Sequence, residues 1–238
     1  MARVIFWRHG QTDDNLAMRI QGQRDVPLNA TGIAQAKAVA VEVMKMKPTH
    51  VVSSPLSRAY ATAAAVAGPL GLEIATDVRL QERGYGDWES LTGAEIKANW
   101  PEEHARWREG LDPAGVGIET RADCGARVKA AVLDALGAAL GDAETADADP
   151  WGGAGSGSGS SAKAGEDVTL LVVSHGSAIL TGITAMLGMN PSEWTGLAGM
   201  DNCHWALLTP GKGSTPPFRL RSYNRTHVAG PGFEPLRP

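Results

Sequence analysis

Short apolar runs that stop at charged residues or glycine recur along this chain and set its organisation. The first is Val4-Ile5-Phe6-Trp7, whose β-branched and aromatic residues predict a short inner strand. It ends at Arg8-His9-Gly10, and the polar stretch from Gln11 to Asn15 is expected as loop over the strand end. The turn-like segment Gln21 to Leu28 continues that loop. Asn29 or Thr31 can then cap a helix through Ala34, Ala38, Val39, Val43 and Met46, stopped before Pro48. The pattern repeats at His50-Val51-Val52, a second strand that runs through Ser53-Ser54-Pro55-Leu56-Ser57-Arg58 into an alanine-rich helix. Ile74 to Leu80 reads as a third strand, ending just before Glu82 and a turn built on Gly84 and Gly86.

Between Trp88 and Glu119 the periodicity is weak, and Pro101 and Pro113 break it, so this stretch reads as a helical, cap-like excursion at about 88–119. Helical spacing returns from Thr120 to Leu140 through Val128, Ala131, Val132, Ala135, Leu136 and Ala139, with Arg121, Arg127 and Lys129 on the charged face. Gly152 to Gly165 holds six glycines and four serines in fourteen residues, too polar to bury a face, and predicts a flexible insertion at about 141–167. Val168 to Val173 is the strongest β run, and it ends at Ser174-His175-Gly176 before a helix through Ile179, Ile183, Met186 and Leu187. Trp205 to Leu208 and Phe218 to Tyr223 read as further strands. A proline-rich tail, 224–238, is expected to be loosely held. Strands alternating with helices imply an α/β fold with a mostly parallel sheet covered on both faces, in one domain over 1–223.

Composition narrows the function. A hydrophobic fraction of 43% against 20% charged residues rules out disorder of the whole chain. The net charge of −4 offers no general surface for nucleic acid or an anionic membrane, so any anion must be held locally. Only Cys124 and Cys203 are present, far apart, which suggests neither a disulfide framework nor a zinc site and favours a cytoplasmic setting. No secretory leader or membrane span is read from the sequence.

Four strand ends present Arg8 with His9, Arg58, Glu82 and His175. Brought together, they would make a cationic pocket with one carboxylate at its edge. Arginine forks and helix N-termini suit a phosphoryl group. A neutral imidazole is a competent nucleophile at phosphorus, so His9 could carry a covalent phosphate, with Glu82 protonating the leaving oxygen. Trp88, Trp100 and Trp107 read as packing residues. His50, His104, His204 and His227 read as structural or solvated.

At these residues the chain resembles the histidine phosphatase superfamily, also called the phosphoglycerate mutase-like family. The resemblance rests on Arg8-His9-Gly10-Gln11-Thr12 with Asn15, Gln21-Gly22, Asp25 to Asn29, Thr31-Gly32 and Gln35-Ala36. It continues through Ser53 to Ala59, Glu82 with Gly86-Asp87-Trp88, and Ser174-His175-Gly176, spanning about residues 3 to 210. It implies a three-layer α/β/α fold of the phosphoglycerate mutase type. It further implies that His9 is phosphorylated, that Arg8, Arg58 and His175 bind the phosphate, and that Glu82 donates the proton. Thr12, Asn15, Gln21, Gly22 and Gly176 would lie against the substrate. No metal or other cofactor is implied; the partner is a small phosphorylated substrate, and a homodimer is compatible. Gly86-Asp87-Trp88 resembles the phosphatase branch, and Met189 to Trp205 resembles the glucosyl-3-phosphoglycerate phosphatases within it. The expected activity is metal-independent hydrolysis of sugar or glycerate phosphates; a phosphoglycerate mutase and a non-catalytic phospho-ligand module are the alternatives.

Overall fold

Alternation across a buried sheet explains why the strands read as unbroken apolar runs. In a computed structural model, which describes residues 2–145, 167–211 and 216–226, β1 (Ala2–Arg8) lies in the middle of a six-stranded sheet. Val4 and Phe6 point to one face and Ile5 and Trp7 to the other, and all four are completely buried.

The chain continues through α1 (Asp13–Leu16), α2 (Ala30–Lys45), β2 (His50–Ser53), α3 (Ser57–Leu70) and β3 (Ile74–Thr76). It then forms α4 (Gly93–Asn99), α5 (Pro101–Arg108) and α6 (Arg121–Thr145). After the Gly/Ser-rich insertion come β4 (Val168–Ser174), α7 (Gly176–Met186), β5 (Trp205–Pro210) and β6 (Phe218–Arg225). The strand order is β3-β2-β4-β1-β5-β6; the first four strands run parallel, β5 runs antiparallel to β1, and β6 runs antiparallel to β5. Helices α2 and α3 cover the face of Ile5 and Trp7, while α6 and α7 cover the face of Val4 and Phe6. This is a three-layer α/β/α arrangement with a mostly parallel sheet. Most of the Gly/Ser-rich insertion and of the proline-rich tail lies outside the described residues. β6 itself reaches Arg225, into the segment expected as tail.

Topology places the ligand crevice. From β1 the chain crosses to β2 on one side of the sheet, whereas from β4 it crosses to β5 on the other, although β1 and β4 are neighbours paired from Ala2↔Val168 to Arg8↔Ser174. Connections that diverge in this way leave an opening beyond the carboxyl ends of the two strands. Arg8, His9 and His175 stand at that opening.

Two local expectations are corrected. The stretch after His9 is not all loop: the Thr12 hydroxyl accepts the Asn15 N–H at 3.2 Å while the Asn15 side-chain oxygen accepts the Thr12 N–H at 3.1 Å, and this reciprocal cap starts α1. The third strand stops at Thr76. The Asp77 carboxylate accepts the Arg79 N–H at 2.8 Å and turns Val78–Leu80 into a single 3-10 turn, so Glu82 follows a turn and not a strand. The weakly periodic excursion has its own apolar cluster, with Tyr85, Trp88, Ile96 and Val116 buried and Trp107 packed against them. Among the described residues no helix is long and apolar enough to cross a membrane.

Candidate active site

His9 is clamped from both sides of the sheet. Its N–H donates to the Ser174 carbonyl at 3.0 Å, and its own carbonyl accepts the Cys203 N–H at 3.1 Å. The residue is 2% exposed. Its Nδ1 lies 2.7 Å from the Gly10 carbonyl, which can only accept, so Nδ1 carries the proton and Nε2 keeps its lone pair. Burial, aided by the Arg8 and Arg58 guanidiniums, holds the His9 pKa well below its ordinary 6.5, against a smaller opposing pull from the Gly10 carbonyl. The imidazole is therefore neutral at neutral pH, with one nitrogen committed and the other available.

A glycine must follow His9. A Cβ on Gly10 would collide with the backbone of Gly32, and a Cβ on Gly32 would collide with that of Gln11. The first turn of α2 thus presses backbone to backbone on the loop after β1. The Asn29 side chain, which accepts the Gly32 N–H at 2.9 Å, fixes that turn.

Two arginines supply the positive charge. Arg58 enters from the first turn of α3 and is fully buried. Its Nη1 donates to the Arg24 carbonyl at 2.6 Å, its Nη2 to the Gly22 carbonyl at 2.9 Å and its Nε to His175 Nδ1 at 3.1 Å. Those bonds use three of the guanidinium's N–H groups and leave two for a ligand. Arg8 donates through Nη1 to the Met200 carbonyl, and its buried Nε has no partner among the described residues. Burial lowers the pKa of both arginines, opposed first by the nearby Glu82 carboxylate. Arginine starts high enough to remain cationic.

His175 holds Arg58 in place. Because Nδ1 accepts from Arg58, Nε2 carries the proton and donates to Ser54 Oγ at 2.8 Å. Burial and the Arg58 charge keep the His175 pKa well below 6.5. The ring centroids of His9 and His175 are 5.1 Å apart.

Glu82 faces these groups from the opposite wall. Its carboxylate accepts the N–H groups of Arg83 at 2.8 Å, Ala178 at 2.9 Å and Ser177 at 3.2 Å. Two of those donors open α7, whose dipole favours a negative group there. The result is a cavity of about 140 Å³. Arg8, His9, Arg58 and Glu82 line it together, as expected from the sequence, along with Asn15, Gln21 and Gly22. Gly176 lines an adjoining chamber, His175 sits behind Arg58 and lines neither space, and Thr12 is buried as the cap of α1. Arg19, Ile20, Tyr85 and Trp107 also line the cavity, and no pattern along the chain singles them out for it.

A model of the histidine phosphatase superfamily, branch 1, matches residues 4–143. The chain belongs to that superfamily. It is 37% identical over 207 residues to a glucosyl-3-phosphoglycerate phosphatase of Mycobacterium tuberculosis, covering 87% of this chain and 85% of the relative. It is 32% identical over 199 residues to a probable phosphoglycerate mutase of Yersinia enterocolitica, covering 80% and 77%. Among solved structures, a mycobacterial glucosyl-3-phosphoglycerate phosphatase in complex with VO3 superposes with a TM-score of 0.76 at 34% identity, covering 94% of this chain and 99% of that one. A phosphoserine phosphatase mutant of Entamoeba histolytica in complex with phosphoserine gives 0.70 at 26% identity, covering 94% and 97%. As a histidine phosphatase the protein is a phosphomonoesterase.

In this histidine phosphatase the two arginines expected on the charged face of α6 both bond inward, Arg121 to Asp112 at 2.9 Å and Arg127 to Glu119 at 2.6 Å. Arg127, expected on the charged face of α6, turns inward and grips Glu119 with two bonds, Nε to Oε1 at 2.6 Å and Nη2 to Oε2 at 2.8 Å. It also donates to the carbonyls of Arg79 at 2.7 Å, Gln81 at 2.7 Å and Glu82 at 3.0 Å. Glu119 in turn accepts the Gly84 N–H at 3.0 Å. The pair therefore fixes the chain on both sides of Glu82. A signal for it did exist. Arg127 stands three residues after the buried Cys124 and four before the buried Ala131, in the apolar stripe of α6.

Proposed function

We propose that this phosphatase hydrolyses small phosphorylated metabolites, sugar or glycerate phosphates with glucosyl-3-phosphoglycerate among them, through a phosphohistidine at His9 and without a metal ion. The observation that carries the reading is the setting of His9: its Nδ1 is bonded to the Gly10 carbonyl, which leaves Nε2 open, and it lines one cavity with the guanidiniums of Arg8 and Arg58. In the first step His9 Nε2 forms a bond to phosphorus while the ester P–O bond breaks. Glu82 enters this step in its acid form, gives its proton to the departing oxygen and leaves it as the carboxylate. In the second step water attacks phosphorus, the N–P bond breaks and returns its electron pair to His9, and Glu82 takes the water's proton. Arg8 and the two spare N–H groups of Arg58 offset the charge on the phosphoryl oxygens throughout, a role that a metal ion plays in other phosphoryl-transfer enzymes.

A chelator-treated enzyme assayed against p-nitrophenyl phosphate and a panel of sugar and glycerate phosphates tests the reading. Phosphate release that is lost in His9→Ala supports it. Activity that requires added divalent metal, or that survives His9→Ala, refutes it. The identity to a probable mutase gives a second reading, which the same assay distinguishes: a mutase would interconvert 2- and 3-phosphoglycerate faster than it releases phosphate.

A further inference from the structure

The turn that leads into β5 carries a side chain that the proposed steps do not use. Its sequence, Asp201-Asn202-Cys203-His204, sets two turn formers before a buried cysteine. The His204 N–H donates to the Asp201 carbonyl at 3.1 Å, and Cys203 takes φ +58°, a left-handed conformation that non-glycine residues hold only where their surroundings over-determine it. They do so here. The Cys203 carbonyl accepts Trp7 Nε1–H at 2.9 Å, and the His204 carbonyl accepts the Arg8 N–H at 3.0 Å. Asp201 donates its N–H to Asn224 Oδ1 at 2.9 Å and accepts Asn224 Nδ2–H through Oδ2 at 3.0 Å. The turn is thus braced against β1 on one side and β6 on the other.

The side chain it presents is Asn202, which is half-buried. Its Nδ2 donates to the His9 carbonyl at 3.1 Å, to the Gly10 carbonyl at 3.3 Å and to Asn15 Oδ1 at 3.1 Å. All three partners are acceptors, so a reversed amide would set oxygen against oxygen, and the orientation is fixed. Each bond has a consequence in the cavity. The Gly10 carbonyl also accepts His9 Nδ1–H at 2.7 Å, so Asn202 steadies the group that keeps the proton on Nδ1 and the lone pair on Nε2. Without that donor the Gly10 peptide can turn away and the proton can move to Nε2, where it blocks attack on phosphorus. Asn15 Oδ1 accepts both Asn202 Nδ2 and the Thr12 N–H, the latter at 3.1 Å. Asn15 lines the phosphate cavity, and its Nδ2 has no partner among the described residues.

We infer that Asn202 is a positioning residue for phosphoryl transfer: from outside the cavity it keeps the His9 proton on Nδ1 through the Gly10 carbonyl and keeps the Asn15 amide donors free for the phosphoryl group. The inference rests on the phosphatase reading and adds to it a residue that acts through His9 and Asn15 without touching the substrate.

The test uses Asn202→Leu, which keeps nearly the same size and loses the donors, and Asn202→Asp, which keeps size and polarity but has no side-chain N–H. Nitrogen-15 NMR of histidine-labelled enzyme reads the His9 ring without substrate, and phosphate release from p-nitrophenyl phosphate in chelator gives kcat/KM. The native enzyme should show a single His9 tautomer at neutral pH, protonated at Nδ1. In both variants the Nε2–H tautomer should appear, and kcat/KM should fall roughly ten- to a hundredfold, the scale of loss when a reacting group shifts by about an ångström. A merely structural residue would lower the midpoint of urea denaturation without changing the tautomer. A native His9 protonated at Nε2, a variant within twofold of the native kcat/KM, or a loss of rate with the tautomer unchanged overturns the inference. Where only one variant folds, that variant decides; if neither folds, Asn202 belongs to the fold and the inference falls. A native enzyme that releases phosphate from no phosphoester overturns the phosphatase reading itself, whereas an active native enzyme whose His9 tautomer is indifferent to Asn202 overturns the inference alone.

Discussion

Arg58 donates through Nε to Nδ1 of His175 at 3.1 Å, so one buried histidine fixes the plane in which the guanidinium lines the cavity. His175 reaches this position because β4 ends at Ser174, and its other nitrogen is tied to Ser54, just before α3. His175→Ala is expected to lower kcat/KM for p-nitrophenyl phosphate about a hundredfold while the protein stays folded, because displacement of a positioning group by about an ångström costs that much. Steady-state kinetics with circular dichroism checks it; a loss within twofold would contradict the role.

His9 and His175 are both held neutral by burial and by neighbouring arginines, with pKa values well below 6.5. The unfolded chain binds protons near 6.5, the folded one only at lower pH. As pH falls below 6.5 the unfolded state gains protons first, so stability declines, by at most about 1.4 kcal/mol per pH unit for each histidine, and above 6.5 these groups contribute no pH dependence. Urea unfolding at a series of pH values measures this decline. By the same cause, the acid limb of kcat/KM attributable to His9 should lie well below 6.5. A limb centred at 6.5 would contradict a neutral, buried nucleophile.

Gly10 and Gly32 meet backbone to backbone, and a methyl group at either has no room. Gly10→Ala is predicted to cost about 1–3 kcal/mol, the usual range for overpacking a tight contact, and to displace the His9 loop. The midpoint of urea denaturation together with activity tests both parts. An alanine variant as stable and active as the native protein would show that the loop can move without consequence.

The Arg127–Glu119 pair bears on the leaving group. Removing it in Arg127→Met frees the chain on both sides of Glu82, so alkyl phosphates, whose departing oxygen needs a proton, should slow about a hundredfold. p-Nitrophenyl phosphate, with a good leaving group, should slow far less. Equal slowing of both would assign Arg127 to folding and not to the position of Glu82.

Sequence pattern exposed the groups that stand at element ends and hid those that reach the site from a distance. Arg8, His9, Arg58 and His175 were legible because each follows or opens a regular element, and a parallel sheet brings such ends together. Glu82 was legible as a residue but not in its setting: Asp77 ends β3 early, and two of the three donors that hold the carboxylate come from α7, about 95 residues further on. Trp107 was obscure because α5 is strongly polar and has no fully buried residue, so no apolar period marked it as a wall of the cavity. Arg127 was misread because a long side chain in an apolar stripe was counted with its charged neighbours, although its guanidinium bonds inward. The antiparallel pairing of β5 and β6 was legible in principle, because the seven residues between Pro210 and Phe218 are too few for a parallel crossover.

The central claim is that His9 Nε2 becomes covalently bonded to phosphorus during turnover. Phosphohistidine is acid-labile, so the decisive measurement is an alkaline quench of enzyme mixed with phosphate-labelled substrate, followed by peptide mapping of the label. Label on His9, formed as fast as turnover requires in the presence of chelator and absent from His9→Ala, is the predicted result. Label on another residue, or turnover at the native rate with no label on His9, would contradict it.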